Sequence, residues 1–163
     1  EQLKKLEALT IPRIEAAEFL RSRWSRIPGL TLPAVQPDCR HVYYVFAVQH
    51  DARIMGVSRQ RFVEAVRAEG VPLVEGYVEP LYLQPIYQQR EAVQREGRYV
   101  RGQCPMAERL HGEQLWYTTL VYAGLSPAEL DDVALAVEKV ANEAASLART
   151  EGAGRRHATL IGQ

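Results

Sequence analysis

Across residues 41–75 the sequence writes a strand, a capped helix and a second strand, and this order constrains the fold more than any other feature. Val42, Tyr43, Tyr44, Val45, Phe46, Ala47 and Val48 are mostly β-branched or aromatic, which predicts a strand over 41–48, central in its sheet and buried on both faces. Ser58 offers an N-cap oxygen for a helix over 59–69, and Val57 can staple onto Phe62. Gly70 then stands where a helix end needs a left-handed residue. Residues 71–75 read as the returning strand.

The next stretch, from Gly70 to Tyr87, is poor in charge, broken by prolines at 72, 80 and 85, and carries Tyr77, Tyr82 and Tyr87. Proline fixes the backbone, and each phenol offers an apolar face with one hydroxyl. The segment suits either a surface loop of packed aromatics or a rigid wall beside a small polar ligand.

Helices surround this unit. Leu3, Leu6, Leu9, Ile14, Ala17 and Leu20 make residues 2–26 a long amphipathic helix. Pro12 in its interior predicts a kink or break near 10–12, with Thr10 capping a second piece, and Pro28 and Gly29 end it. A short strand is expected over 30–33, a short exposed helix over 88–97, then a mobile loop to Cys104. Pro105 opens a short helix to Leu115, and 116–122 is extended. Ser126, Pro127 and Glu129 are a strong helix start, followed by a stripe of Leu130, Val133, Val137, Val140, Ala144 and Leu147. The tail over 150–163 has no packing pattern and is expected to be disordered. The sum is an α+β fold: a small, mostly antiparallel sheet with helices packed on one face. Because Glu1 already lies in helical sequence, residues 1–28 are expected to be a helix leading in from a preceding large domain, with 1–149 a small C-terminal domain.

Function classes narrow by elimination. Net charge is zero, so no polyanion partner is indicated. The loose cluster of Arg90, Arg95, Arg98 and Arg101 is diluted by Glu91 and Glu96, which argues against nucleic acid. Cys39 and Cys104 form no Cys-x-x-Cys pair. With no signal-peptide pattern and no apolar run near about 18 residues, no membrane association is expected and the cytoplasm is the expected compartment. No Gly-x-Ser-x-Gly, phosphate loop or Gly-x-Gly-x-x-Gly occurs. His41 opens the expected central strand, where it is either bonded to nearby backbone or available to a ligand. Glu108 and His111 share a helix face, but with no second pair they read as a surface pair rather than a metal site. Lys4, Lys5 and Lys139 all fall on exposed helix positions, so none suits a reactive, desolvated amine.

With these residues laid out, the chain resembles the C-terminal portion of the pyridoxal-phosphate-dependent sugar aminotransferases of the DegT–StrS type, over about residues 2–142. The pieces come in the family's order. They are the helix carrying Arg13, the segment from His41 to Phe46, the helix from Ser58 to Gly70-Val71-Pro72, the loop from Gly76 to Tyr87, the Ala107-Glu108-Arg109 helix, and the Ser126-Pro127 helix start. The sequence differs from the family at Gly76 and Tyr82, where the family has histidines. It also differs at Tyr117-Thr118, where the family has Leu-Pro, and by an insertion over about 88–103.

The resemblance implies a fold type I aminotransferase small domain that closes over a site completed by a large domain and by homodimerisation. It implies pyridoxal phosphate in the parent enzyme and no cofactor on this chain alone. The implied substrate is a nucleotide-linked keto-sugar or a keto-cyclitol, and Gly76 with the added phenol of Tyr82 would suit a cyclitol ketone. Glutamate or glutamine is the implied amino donor. The implied substrate-binding residues are Tyr77, Tyr82, Tyr87, His41 and Arg109, with no catalytic residue on this chain. A non-catalytic interaction module, or the small domain of a sugar dehydratase, are the alternative readings.

Overall fold

Four short strands form one antiparallel sheet in the computed structural model, which describes residues 1–89 and 99–149. They are β1 (Leu30–Thr31), β2 (Phe46–His50), β3 (Val74–Glu75) and β4 (Leu115–Thr118), in the order β1-β2-β4-β3. Phe46 pairs with Thr118 and Val48 with Trp116, so one sheet face carries Phe46, Val48, His50, Trp116 and Thr118, all buried. The other face presents Ala47, Gln49, Leu115 and Tyr117, which are only half-buried.

Three helices cover the buried face: α1 (Leu6–Trp24), α3 (Arg59–Ala68) and α6 (Pro127–Asn142). Short helices α2 (Ala52–Met55), α4 (Pro85–Gln88) and α5 (Pro105–Arg109) connect them. Trp24 meets Phe46 and Trp116 edge-on, with centroids 5.7 and 5.9 Å apart, and Phe62 lies 6.1 Å from Trp116. Such ring pairs add about 0.5–1.5 kcal/mol each beyond the area they bury. Arg23 ties α1 to α6. Its Nε and Nη2 donate to the two Glu138 oxygens at 2.7 and 2.6 Å, and its Nη1 donates to Asp131 at 2.5 Å.

The helix signals hold at residue level. Ser126 and Glu129 form a reciprocal capping box, and the expected stripe of α6 is buried through Ala144. Ser58 accepts from the Arg61 amide, and Gly70 adopts φ +95°.

Several expectations are corrected. α1 runs through Pro12 as one helix, preceded by a 3-10 turn over Gln2–Lys5. The bond lost at Pro12 would have used the Ala8 carbonyl, which lies on an exposed turn and can turn to water. β2 begins at Phe46, not at His41. Residues 41–45 are irregular, with Tyr43 at φ +46° and Val42 and Tyr44 exposed. β2 is central, but it is fully buried on one face only. β1 and β3 are shorter than expected. The expected helix from Pro105 to Leu115 is α-helical only over Pro105–Arg109 and continues as a π-turn over Leu110–Gln114. From residue 90 on, the expected 88–97 helix lies outside the described residues, as does the tail over 150–163.

Candidate functional site

The tyrosine loop hangs from the end of β3. The Gly76 amide donates to the Leu115 carbonyl at 2.6 Å, and its φ of +67° turns the chain out of the sheet. A Cβ at this position would stand 2.8 Å from the His111 carbonyl oxygen, so the backbones touch here and only glycine fits. The next residue, Tyr77, sets its ring edge-on against Tyr117 at 5.5 Å and stays 44% exposed. Tyr117 belongs to the half-covered sheet face, so these two rings extend that face outward.

Beyond Tyr77 the prolines impose two turns. Pro80 precedes a 3-10 turn over Leu81–Leu83, and Pro85 is the first residue of α4. Tyr82 donates its hydroxyl to Glu108, and the same carboxylate oxygen accepts the Gly102 amide at 2.6 Å. The Tyr82 hydroxyl holds the Glu108 carboxyl below the usual range. Burial, then Glu108 itself, pushes the Tyr82 phenol up, so the shared proton stays on Tyr82. Gln88 Nε2 donates to the carbonyls of Tyr82 and Tyr99 at 2.7 and 2.8 Å, and Tyr87 lies against the Tyr99 ring at 5.6 Å. The two arms, 82–88 and 99–108, are thus zipped together.

The candidate residues fall in three places. Tyr77, Tyr82 and Tyr87 share the loop, but Tyr82 is already committed to Glu108. His41 is exposed ahead of β2, where its Nδ1 accepts the Tyr43 amide at 2.9 Å and its ring lies 4.1 Å from that of Tyr43. Arg109 is exposed and lines a separate cleft with His50 and Asp51. Glu108 bonds Tyr82 rather than forming a metal site with His111, and no group of metal-ligating side chains occurs among the described residues.

Sequence reasoning missed Tyr117 as a partner of Tyr77. The signal was available, since Trp116 facing the core forces Tyr117 to the opposite face. It also missed Arg59, whose guanidinium reaches the carbonyls of His111, Gly112 and Leu115 beneath the loop.

The lysines do not fit an aldehyde cofactor's attachment. Lys4 pairs with Glu1 and Lys139 with Glu69, each at 2.6 Å, and all three lysines lie in open solvent or at its edge rather than in a desolvated pocket.

A family model described as the DegT/DnrJ/EryC1/StrS aminotransferase family matches residues 1–138. The spore coat polysaccharide biosynthesis protein SpsC of Bacillus subtilis (strain 168) is 27% identical over 144 residues, covering 85% of this chain and 34% of that protein. Among solved structures, S. venezuelae DesV in complex with a ketimine intermediate superposes with a TM-score of 0.69 at 24% identity, covering 85% of this chain and 33% of that one. Helicobacter pylori PseC, an aminotransferase involved in the biosynthesis of pseudoaminic acid, gives 0.66 at 18%, covering 87% and 35%. The fold is therefore theirs, and the chain spans about a third of the length of these relatives.

Proposed function

The chain belongs to the DegT/DnrJ/EryC1/StrS aminotransferase family, whose members depend on pyridoxal phosphate, and we propose that it is the C-terminal, substrate-facing part of such an enzyme. The substrate is a nucleotide-linked keto-sugar or a keto-cyclitol, and the amino donor is glutamate or glutamine. The observation that carries this reading is the tyrosine loop, held rigid by Glu108 and Gln88 while Tyr77 projects half-exposed from the sheet. A ring face with a free hydroxyl beside it is suited to a polyol, whose C–H face and hydroxyls it can meet together.

In this reading Tyr77 positions the sugar or cyclitol ring by stacking and one hydrogen bond, and Tyr117 supports it from behind. Tyr82 and Tyr87 shape the wall. His41 and Arg109 are reserved for contacts made when the rest of the enzyme closes. Cofactor attachment belongs to the part of the enzyme this chain does not supply, because its lysines do not fit that role. Leu3, Leu6 and Leu9, each more than half exposed on the first turns of the chain, support a covering partner, either the large domain or a second subunit of a homodimer. Among the described residues no helix is long and apolar enough to cross a membrane.

The test has two parts. The purified chain is mixed with pyridoxal phosphate, treated with borohydride and desalted, and no retained adduct is expected. A reduced adduct on Lys4, Lys5 or Lys139 would overturn the assignment of the cofactor elsewhere. Keto-cyclitols and nucleotide-linked keto-sugars are then titrated against the labelled chain. Resonance changes at Tyr77 and Tyr117 are expected, and silence there for both ligand classes overturns the substrate wall.

A further inference from the structure

The exit of the tyrosine loop from the sheet is held by a side chain of another element. Ser58 caps α3, so Arg59 is the first residue of that helix. The π-turn over Leu110–Gln114 runs directly into β4. The last carbonyls of a helical turn have no partner within it, and Arg59 supplies one. Its Nη1 donates to the His111 carbonyl at 2.7 Å and to the Leu115 carbonyl at 3.1 Å, and its Nη2 to the Gly112 carbonyl at 2.9 Å.

Both carbonyls on Nη1 also touch Gly76. The Leu115 oxygen accepts the Gly76 amide at 2.6 Å, and the His111 oxygen stands 2.8 Å from where a Cβ on Gly76 would lie. One nitrogen of Arg59 therefore fixes both contacts about which the chain turns out of β3. Nη2 also holds one oxygen of Glu75 at 3.3 Å, and Arg67 Nη1 holds the other at 3.5 Å. β3 is two residues long, so it has little ladder of its own to set the direction of the chain that leaves it.

Tyr77 follows Gly76 directly. Its hydroxyl has no hydrogen-bond partner among the described residues, and its half-exposed ring meets Tyr117 edge-on. A ring pair of this kind contributes about 0.5–1.5 kcal/mol, too little to hold the ring against a shift of its own backbone. The angle of the ring is thus inherited from the backbone at Gly76. We propose that Arg59 is a positioning residue for Tyr77, acting through the His111 and Leu115 carbonyls to set the angle at which that ring meets a ligand. This rests on the reading of Tyr77 as the ligand-facing ring.

The test is ring cross-relaxation between Tyr77 and Tyr117 in the isotopically labelled chain without ligand. The Trp24 indole N–H, which donates to the Ala134 carbonyl in the core, marks the folded population. Cross-relaxation within that population does not respond to a loss of stability as such. Arg59→Met removes every donor and should lose the cross-peak. Arg59→Lys, with one nitrogen in place of the fork, should weaken it, and carries the test if Arg59→Met does not fold. Gly56→Ala strains a turn outside the loop and should keep the cross-peak at full strength. Where the unaltered chain binds a keto-cyclitol or nucleotide-linked keto-sugar, Arg59→Lys should weaken that binding by about fivefold and Gly56→Ala should not. An undiminished cross-peak in the folded Arg59 variants, or the same loss in Gly56→Ala, overturns the proposal. So does equal ligand affinity in Arg59→Lys and the unaltered chain. Because the cross-peak needs no ligand, a chain that binds no ketone counts against the tyrosine-loop reading alone.

Discussion

Arg59 Nη1 donates to the His111 carbonyl at 2.7 Å, joining the first turn of α3 to the π-turn beneath the tyrosine loop. The same guanidinium reaches Leu115 O at 3.1 Å, Gly112 O at 2.9 Å and Glu75 at 3.3 Å. Its side chain is 11% exposed, so these carbonyls have little water to replace it. Arg59→Ala is expected to destabilise the chain by about 3 kcal/mol, read as a lower urea midpoint with unchanged slope. Arg59→Lys, a point charge without the fork, should recover less than half of that.

Gly76 and Gly56 separate steric clash from backbone strain. Both have positive φ, +67° and +79°, but a Cβ at Gly56 meets nothing within 4 Å, whereas at Gly76 it meets the His111 carbonyl oxygen at 2.8 Å. Gly56→Ala should cost about 1 kcal/mol and Gly76→Ala about 3 kcal/mol. Equal losses in thermal unfolding would remove the claim that the two backbones touch.

The bond between Tyr82 and Glu108 is expected to be visible at a third residue. Glu108→Ala removes the acceptor of the Gly102 amide, so hydrogen exchange at Gly102 should speed up by about tenfold or more. Tyr82→Phe leaves that acceptor in place and should have a smaller effect there. If neither variant changes the exchange, the two arms are not zipped in solution.

Burial is the main cause that holds the His50 imidazole below its ordinary value of 6.5. The folded chain then resists a proton that the unfolded chain accepts. The stability from neutral His50 is complete above pH 6.5 and is lost as pH falls through the folded value. Unfolding midpoints should therefore drop between about pH 7.5 and about pH 5, and His50→Gln should flatten that slope while lowering stability by about 1–2 kcal/mol.

The helices were legible because their signals are local. Ser126 and Glu129 cap each other across three residues, and Ser58, Phe62 and Gly70 bracket α3 without outside help. The strands were less legible because their lengths depend on the partner. Residues 41–45 have strand composition, but β4 ends at Thr118, opposite Phe46, and no ladder continues beyond it. Tyr43 instead turns to φ +46° and buries its ring, donating its hydroxyl to Glu18 at 2.8 Å. The tyrosine loop was legible in the sequence, but the partners its residues take were not. Glu108 and Arg109 are adjacent in sequence, yet one bonds Tyr82 and the other lines a different cleft. No local pattern distinguishes those neighbours, because Tyr82 and the far wall of the cleft, His50 and Asp51, come from distant segments.

The position of β4 also bears on how the sheet is assembled. Among the described residues it is the last strand in sequence, yet it stands between β2 and β3 and pairs with both. During synthesis the two earlier strands wait for it, each with an unpaired edge facing the gap it will fill. A chain halted before Leu115 would hold two open edges and an uncovered aromatic cluster, a species prone to pair with copies of itself. The middle of this sheet is therefore its closing step, and residues 115–118 carry a kinetic burden out of proportion to their number.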